Sequence, residues 1–204
     1  MAWLEAAGEE ALAVHYGPVW EGDDYASVAK RIARAFAGEP WTLVVHSGAG
    51  SLAQAVTAAT APAAVIFVDA ILPHPGRSWL ETASRPLAEQ LRRLAVGGLL
   101  PPWNLWFPSD PLPSLIANGE QRAAIAAELP LTPLGFLEAP APAPPAIEPQ
   151  SAYLQLSGAY AAEAALAEAR GWPVTRLNLK HLAMLTHPQE VAGALRALMP
   201  AIGC

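Results

Sequence analysis

The sequence predicts an α/β fold built on a mostly parallel, doubly wound sheet, and two observations support this prediction. Four apolar runs, at residues 41–45, 64–69, 152–156 and 174–179, have the length and nearly continuous hydrophobicity of strands buried on both faces. Segments with helical spacing of apolar residues alternate with these runs, mostly across short links. This alternation favours parallel strands joined by right-handed crossovers.

The first 40 residues are predicted to supply one strand and two helices. Residues 3–7 have the pattern of a helix end, and residues 11–15 have that of a first strand. Asp23 or Asp24 can cap a helix that runs to about residue 37, because the apolar residues that follow repeat with helical spacing. We expect this helix to lead into the next strand.

A strand, a tight turn and a helix are predicted for residues 41–60. The apolar run leads into His46 and Ser47, then into the small residues Gly48-Ala49-Gly50, and a helical segment follows. The backbone must therefore reverse within two or three residues. A serine at such a corner projects its hydroxyl from the carboxyl end of a strand, and the helix side offers free backbone N–H groups. This is the geometry of a nucleophile elbow.

A long segment rich in proline separates the second and third of these strands. Residues 71–150 contain most of the 21 prolines. Helical patches are visible within it at residues 79–96, 119–129 and 131–137. Residues 139–149 are a stretch of proline and alanine, which is typical of a stiff, extended linker.

The chain is therefore predicted to have two parts. A helix at residues 160–170 and a closing helix that begins at Pro188 surround the last strand. We assign residues 1–70 and 151–204 to the core. Residues 71–150 are assigned to a helical cap inserted between two core strands.

Composition and charge argue against several classes of function. The net charge is −6 and no basic cluster is present, which argues against a nucleic-acid partner. No apolar stretch reaches about 18 residues, so no membrane span is predicted. The only cysteine is Cys204, and the N-terminus lacks a basic and then apolar leader, which fits a cytoplasmic protein. No spacing of His, Cys, Asp and Glu indicates a metal, and no phosphate loop is visible, so no cofactor is expected.

Three segments resemble α/β-hydrolases and occur in that family's order. Val45-His46-Ser47-Gly48-Ala49-Gly50 resembles the family's Gly-His-Ser-Gly-Ala-Gly elbow, and residues 65–70 resemble the next core strand. Residues 171–191 resemble the last strand, the histidine loop and the final helix. The resemblance spans roughly residues 41–199, and it implies an α/β-hydrolase-like core with a reduced strand number and a shortened N-terminus. Val45 departs from the pattern, because the family usually has glycine two residues before the serine.

Two catalytic roles follow from the resemblance. An acyl-transfer site needs a nucleophile, a base, a group that orients the base, and donors for the oxyanion. Ser47 is the predicted nucleophile, and His181 is the predicted base because a loop after the last strand can bring it over the strand ends. The competing interpretation is that Ser47 only caps its helix and His181 is a solvated loop residue. His46 is expected to order the turn rather than to catalyse.

The acid that orients the base is predicted to be Asp69. The resemblance would place it in the loop at residues 157–160, which contains no carboxylate. Some members place it one strand earlier, where Asp69 ends the strand beside the elbow. Glu163 is the reserve candidate. Asp69 is also explained by a simpler interpretation, in which it binds backbone N–H groups of its own loop.

Only one of the two oxyanion donors is assigned from the sequence. The N–H of Gly48, which follows the nucleophile, is the first predicted donor. The second comes either from a strand that this chain lacks or, if residues 11–15 are the oxyanion strand, from the N–H of Tyr16 or Gly17. Losing one such donor costs on the order of 10²–10³ in rate.

The predicted function is that of a serine hydrolase that acts on an ester, thioester or lactone of a medium-sized apolar substrate. Apolar rings of the cap are predicted to line the substrate pocket, although each is also explained by packing: Trp79, Trp103, Trp106 and Phe107. The alternative is a decayed or repurposed relative that binds a small apolar ligand or does non-hydrolytic chemistry. The expected partner is a small-molecule substrate, and a homodimer is left open.

Overall fold

The computed structural model describes residues 11–13, 24–34 and 41–203. Within them, six strands are formed: β1 (Thr42–Ser47), β2 (Ala64–Ala70), β3 (Leu99–Leu100), β4 (Thr132–Pro133), β5 (Gln150–Gln155) and β6 (Val174–Arg176). The main sheet has the order β1-β2-β5-β6, and all of its pairs are parallel. The short strands β3 and β4 pair antiparallel with each other. The predicted α/β class with a mostly parallel sheet is therefore confirmed.

The helices of the described residues cover the sheet and fill the long insertion between β2 and β5. They are α1 (Tyr25–Ala33), α2 (Ala53–Thr60), α3 (Trp79–Thr82), α4 (Arg85–Leu94), α5 (Leu112–Leu115), α6 (Gly119–Glu128), α7 (Leu134–Glu138), α8 (Ala161–Ala169), α9 (Ala183–Thr186) and α10 (Pro188–Leu198). Short 3₁₀ turns lie at Gly48–Leu52, Trp103–Leu105, Gly158–Tyr160 and Met199–Ile202. No helix in the described ranges is long and apolar enough to cross a bilayer.

Both faces of the central strands β2 and β5 are buried, which explains their continuous hydrophobicity. Successive strand residues point to opposite faces. Val65 and Phe67 of β2 belong to a cluster with apolar residues of α1 and α2, whereas Ile66 and Val68 belong to a second cluster with residues of α10. Leu154 on β5 lies in the second cluster and is fully buried.

Several element boundaries differ from the sequence prediction. The last strand ends at Arg176 rather than at residue 179. The helical patch at 79–96 is divided into α3 and α4 near Pro86, the residue at which the sequence predicts a kink or a split. The division falls just before Pro86, which fits the first turn of α4 because that turn needs no N–H there. A capping box at Ser78 starts α3.

The N-terminal predictions are only partly testable. Asp24 caps α1 as predicted, because its carboxylate accepts from the backbone N–H of Ser27 at 2.7 Å. Residues 11–13 carry no regular structure, so this part of the predicted first strand is wrong. The rest of that strand, the helix at residues 3–7, and Tyr16 and Gly17 lie outside the described residues.

The register between β1 and β2 shifts at the end that carries the site. His46 lies opposite Val68, but the next residue, Ser47, lies opposite Ala70. Asp69 is therefore skipped in the ladder, and its φ is 41°. This irregularity brings a serine and an aspartate to the carboxyl edge of neighbouring strands, where ligands bind in open α/β sheets.

Candidate active site

Ser47 has the strained backbone of a nucleophile elbow. Its φ of 55° and ψ of −130° are unusual for a residue with a Cβ atom, and the 3₁₀ turn begins at the next residue. The backbone N–H of Ile71 donates to the carbonyl of Ser47 at 3.2 Å, and the hydroxyl of Ser51 donates to the carbonyl of Gly48 at 2.8 Å. These bonds hold the turn in place.

Val45 does not prevent this geometry. Its side chain is buried in the cluster under β1, and it pairs with Phe67. The close approach occurs on the other side of the serine, at Gly50, where a Cβ atom would lie 2.0 Å from the carbonyl oxygen of Ile71. The turn therefore depends on the absence of a side chain at residue 50, although a valine stands where the resemblance expects glycine.

Ser47, His181 and Asp69 form one chain of hydrogen bonds. The Nε2 atom of His181 lies 3.0 Å from the Oγ atom of Ser47, and its Nδ1 atom lies 2.9 Å from Oδ2 of Asp69. Because an ionised carboxylate only accepts, Nδ1 carries the proton in the neutral ring, and the Nε2 lone pair faces the serine hydroxyl. The two ends of this arrangement are 134 residues apart in the sequence.

Asp69 is fully buried but well supplied with donors. Its Oδ1 accepts from the backbone N–H groups of Leu156 at 2.8 Å and Ser157 at 3.0 Å. Its Oδ2 accepts from the Ser157 hydroxyl at 2.6 Å as well as from His181. Burial by itself would raise the pKa of Asp69, but the bonds from His181, Ser157 and Leu156 together hold that pKa below its ordinary value. The group is therefore a carboxylate at neutral pH.

His46 contacts the backbone of the histidine loop. Its Nε2 donates to the carbonyl oxygen of His181 at 3.0 Å, and the two imidazole rings lie 4.5 Å apart. Burial, with the neighbouring His181 second, lowers the pKa of His46 to about 4. A neutral ring that donates from Nε2 ties β1 to the loop that carries His181, which agrees with the ordering role expected for His46.

Tyr160 touches both Ser47 and His181. Its phenolic oxygen lies 3.2 Å from the Oγ atom of Ser47, and its ring stacks on that of His181 with a centroid distance of 5.0 Å and an interplanar angle of 8°. Burial raises the pKa of Tyr160, so the phenol keeps its proton at neutral pH. Tyr160 is not among the site residues predicted from the sequence.

Ser157 was also missed. It lies with Tyr160 in the loop that follows β5. From the sequence, this loop was considered only as a possible position of the acid, and it contains no carboxylate. Both residues were visible as the polar members of a loop at the carboxyl end of a core strand. Tyr153 on β5 gives further support, because its hydroxyl donates to the carbonyl of Ala70 at 2.8 Å and accepts from the N–H of Ala70 at 3.1 Å. That bond pair braces the backbone beside Asp69.

The predicted aromatic residues contact each other in pairs, and Glu163 lies outside the chain of Ser47, His181 and Asp69. The aromatic side chains of the insertion meet each other, Trp79 with Trp106 at 6.1 Å and Trp103 with Phe107 at 6.3 Å between ring centroids. Phe107 is 40% exposed. Glu163 lies in the first turn of α8, and the carboxylate beside His181 is that of Asp69.

Gly48 opens the 3₁₀ turn directly after the serine, which is where the predicted first oxyanion donor would be needed. Among residues 11–13, 24–34 and 41–203, no cluster of three or more His, Cys, Asp or Glu side chains could hold a metal ion.

Comparisons with known proteins identify the fold. No family model matches the sequence, and no curated protein matches it. Several solved structures do, and two of them are the following. One is described as an extracellular alpha/beta-hydrolase from a Paenibacillus species that shares structural and functional homology with tobacco Salicylic Acid Binding Protein 2. It aligns with a TM-score of 0.76 and 15% identity, over 97% of this chain and 90% of that one. A crystal structure of PytH aligns with a TM-score of 0.58 and 16% identity, over 98% of this chain and 90% of that one.

Proposed function

Because this chain has an α/β-hydrolase fold, we propose that it is a serine hydrolase acting through an acyl-enzyme on an ester, thioester or lactone of a medium-sized apolar substrate. One observation carries the proposal: Ser47, His181 and Asp69 lie in a hydrogen-bonded chain with separations of 3.0 and 2.9 Å. The fold alone would not support a reaction, since many activities share one fold.

In the proposed reaction, His181 transfers one proton in each of the two half-reactions. Nε2 takes the proton of Ser47 as Oγ attacks the carbonyl carbon, and it then gives that proton to the leaving oxygen or sulfur when the tetrahedral intermediate collapses. Water then attacks the acyl-enzyme. Nε2 takes a proton from this water and gives it to Oγ of Ser47, and the acid is released. Asp69 stabilises the imidazolium in both halves, and the Gly48 N–H donates to the oxyanion.

The substrate class is argued from the residues of the insertion. Four aromatic residues lie in the segment of chain that joins β2 to β5, namely Trp79, Trp103, Trp106 and Phe107. Their apolar surface supports a mostly apolar, small-molecule substrate. The cytoplasm remains the proposed location on the basis of the cysteine count, whereas the Paenibacillus neighbour is described as extracellular.

Ester hydrolysis and active-site labelling test this proposal together. The purified protein is mixed with 4-nitrophenyl acetate and butyrate, and a fluorophosphonate probe is used to label the nucleophile. We expect a burst of nitrophenol and one label per chain at Ser47, both abolished by Ser47→Ala. Ser114→Ala is the matched control, because Ser114 is exposed and its hydroxyl donates to the carbonyl of Pro111 in its own turn. Absence of both burst and label in the wild type would favour the alternative of a repurposed binding protein.

A further inference from the structure

We propose that the phenol of Tyr160 is the side-chain donor that stabilises the oxyanion together with the N–H of Gly48. The proposal rests on the hydrolase function above and concerns how the same site stabilises its transition state. It starts from the contact of the Tyr160 hydroxyl with the Ser47 hydroxyl at 3.2 Å.

Counting protons decides the direction of that hydrogen bond. In the neutral ring of His181, the proton lies on Nδ1 facing the Asp69 carboxylate, so Nε2 has a lone pair and accepts the proton of Ser47. The serine has no second proton to offer. The Tyr160 hydroxyl must therefore donate to Oγ, and its O–H bond already points at the atom where the reaction begins.

The bond-forming step redirects this donor. When Oγ bonds to the carbonyl carbon, its proton passes to His181 and its lone pair becomes the new C–O bond. The carbonyl π electrons move to the carbonyl oxygen, which becomes the oxyanion, only two bonds away from Oγ. Oγ is then a poor acceptor, whereas the oxyanion is a strong one. A phenol 3.2 Å from Oγ needs only a small rotation of its O–H bond to donate to the new charge.

The ring of Tyr160 holds the donor where it is needed. It lies almost parallel to the imidazole of His181, so the phenol cannot tilt away without breaking that stack. The same face contact favours the imidazolium that forms when His181 takes the serine proton, since a cation within about 6 Å of an aromatic face is attracted to it. One side chain thus contacts both charges that develop in the step.

Tyr160 also suits the role because it is a neutral, partly buried donor. Burial makes the phenolate costly, so the hydroxyl keeps its proton and can donate at neutral pH. A preorganised donor in such surroundings stabilises a developing charge more than water would.

A paired oxygen and sulfur substrate separates this role from simple positioning. Tyr160→Phe keeps the ring and its stack but removes the O–H. The variant is assayed on a 4-nitrophenyl ester and on the thionoester with C=S in place of C=O, whose sulfur anion is a poor hydrogen-bond acceptor. For the ester we expect kcat to fall by about 10²-fold, with KM changed little. The ratio of kcat/KM for the ester over the thionoester should fall at least tenfold from its wild-type value.

The other outcomes are equally readable. An equal fall on both substrates would overturn the proposal, because a residue that merely positions Ser47 slows both reactions alike. Unchanged rates would overturn it too. Tyr25→Phe is the matched control, since it removes a phenol whose ring packs on Phe136, and its substrate ratio should equal that of the wild type. Failure of the hydrolase function itself would look different, because the wild type would then show neither burst nor labelling of Ser47, and both proposals would fall.

Discussion

At the scale of single residues, the site depends on how Asp69 is held. A buried carboxylate is costly unless it is hydrogen-bonded. Asp69 accepts two backbone N–H groups, one hydroxyl and one imidazole N–H, and its positive φ turns it from β2 towards the loop after β5. Its pKa is lowered, so its contribution to stability is present above its ordinary pKa and is lost as pH falls through the lower folded value.

Asp69→Asn tests this arrangement. The amide nitrogen of asparagine must take the place of Oδ1 or Oδ2, where it would face hydrogen-bond donors, and the side chain loses its negative charge. We expect kcat/KM to fall by about 10³-fold or more and the free energy of unfolding to fall by about 1–3 kcal/mol. Ester kinetics and urea unfolding at pH 7 measure both effects. Asp110→Asn is the control, because Asp110 is exposed and accepts only a backbone N–H of the next helix, a bond that asparagine can keep. Equal activity of the two variants would remove Asp69 from the mechanism.

A second prediction at this scale concerns His46 and pH. Its folded pKa of about 4 lies below the ordinary value of 6.5, so protonation favours the unfolded chain. Its stabilising effect is complete above pH 6.5 and declines towards pH 4, by up to about 1.4 kcal/mol per pH unit. His46→Gln keeps an N–H donor but does not titrate. Urea unfolding at pH 7, 5.5 and 4.5 should therefore show a shallower decline in this variant than in wild type.

Comparison with another histidine makes the His46 prediction specific. His187→Gln is the control, because His187 is exposed and its replacement should change the free energy of unfolding at pH 7 by no more than about 0.5 kcal/mol. If His46→Gln also follows the wild-type curve, then His46 is not held neutral in the folded protein.

At the scale of elements, the elbow is a unit of β1, the 3₁₀ turn and α2 whose shape is set by one contact. Gly50 packs so closely on the backbone of Ile71 that no side chain fits between them. Because Ile71 also donates to the carbonyl of Ser47, the same short segment after β2 supports both the turn and the strained serine. Strain at Ser47 persists because its surroundings hold it there.

Gly50→Ala should therefore damage the elbow. The new Cβ would lie 2.0 Å from a backbone oxygen, so the turn or β2 must shift. We expect a loss of about 1–3 kcal/mol in the free energy of unfolding and a strong fall in kcat. Gly193→Ala is the matched control, since Gly193 is exposed on α10 with nothing within 4 Å of its Cβ position. That change should stabilise the protein by about 0.5–1 kcal/mol. Similar thermal shifts for both variants would contradict the close contact.

At the scale of the whole molecule, the site exists only when the sheet is assembled. Ser47 comes from β1, Asp69 from β2, and His181 from the loop after β6, while β5 lies between β2 and β6. The order of strands therefore brings together groups that are far apart in the chain. We expect the central strands to unfold and the site to be lost in the same cooperative transition.

Leu154→Ala tests this link between core and site. Leu154 is fully buried on β5 beneath α10, and its truncation leaves a cavity. We expect a loss of about 2–5 kcal/mol in the free energy of unfolding, with kcat of the folded fraction close to wild type. Leu166→Ala, on the exposed side of α8 at 55% exposure, should change stability by no more than about 0.5 kcal/mol. Thermal unfolding followed in parallel with ester hydrolysis gives both quantities, and a stable Leu154→Ala variant would contradict the packing described for β5.

What the sequence by itself determined about this protein is local in origin. Periodicity of apolar residues predicted the strands of the parallel sheet, and the small residues after Ser47 predicted the turn. The resemblance and the order of elements pointed to Ser47, His181 and Asp69 before any geometry was known. These features are readable because each depends on neighbouring residues.

Only the tertiary structure decided what crosses between elements. The shift in register between β1 and β2 that frees Asp69, the donors that Ser157 supplies to it, and the stacking of Tyr160 on His181 all depend on how separate elements meet. The loop at residues 157–160 contains no carboxylate, yet its Ser157 binds the carboxylate of Asp69 from β2. Such contacts carry no local signal, because they join residues of different elements, 88 positions apart for Ser157 and Asp69 and 113 for Tyr160 and Ser47, and the assembled sheet decides them.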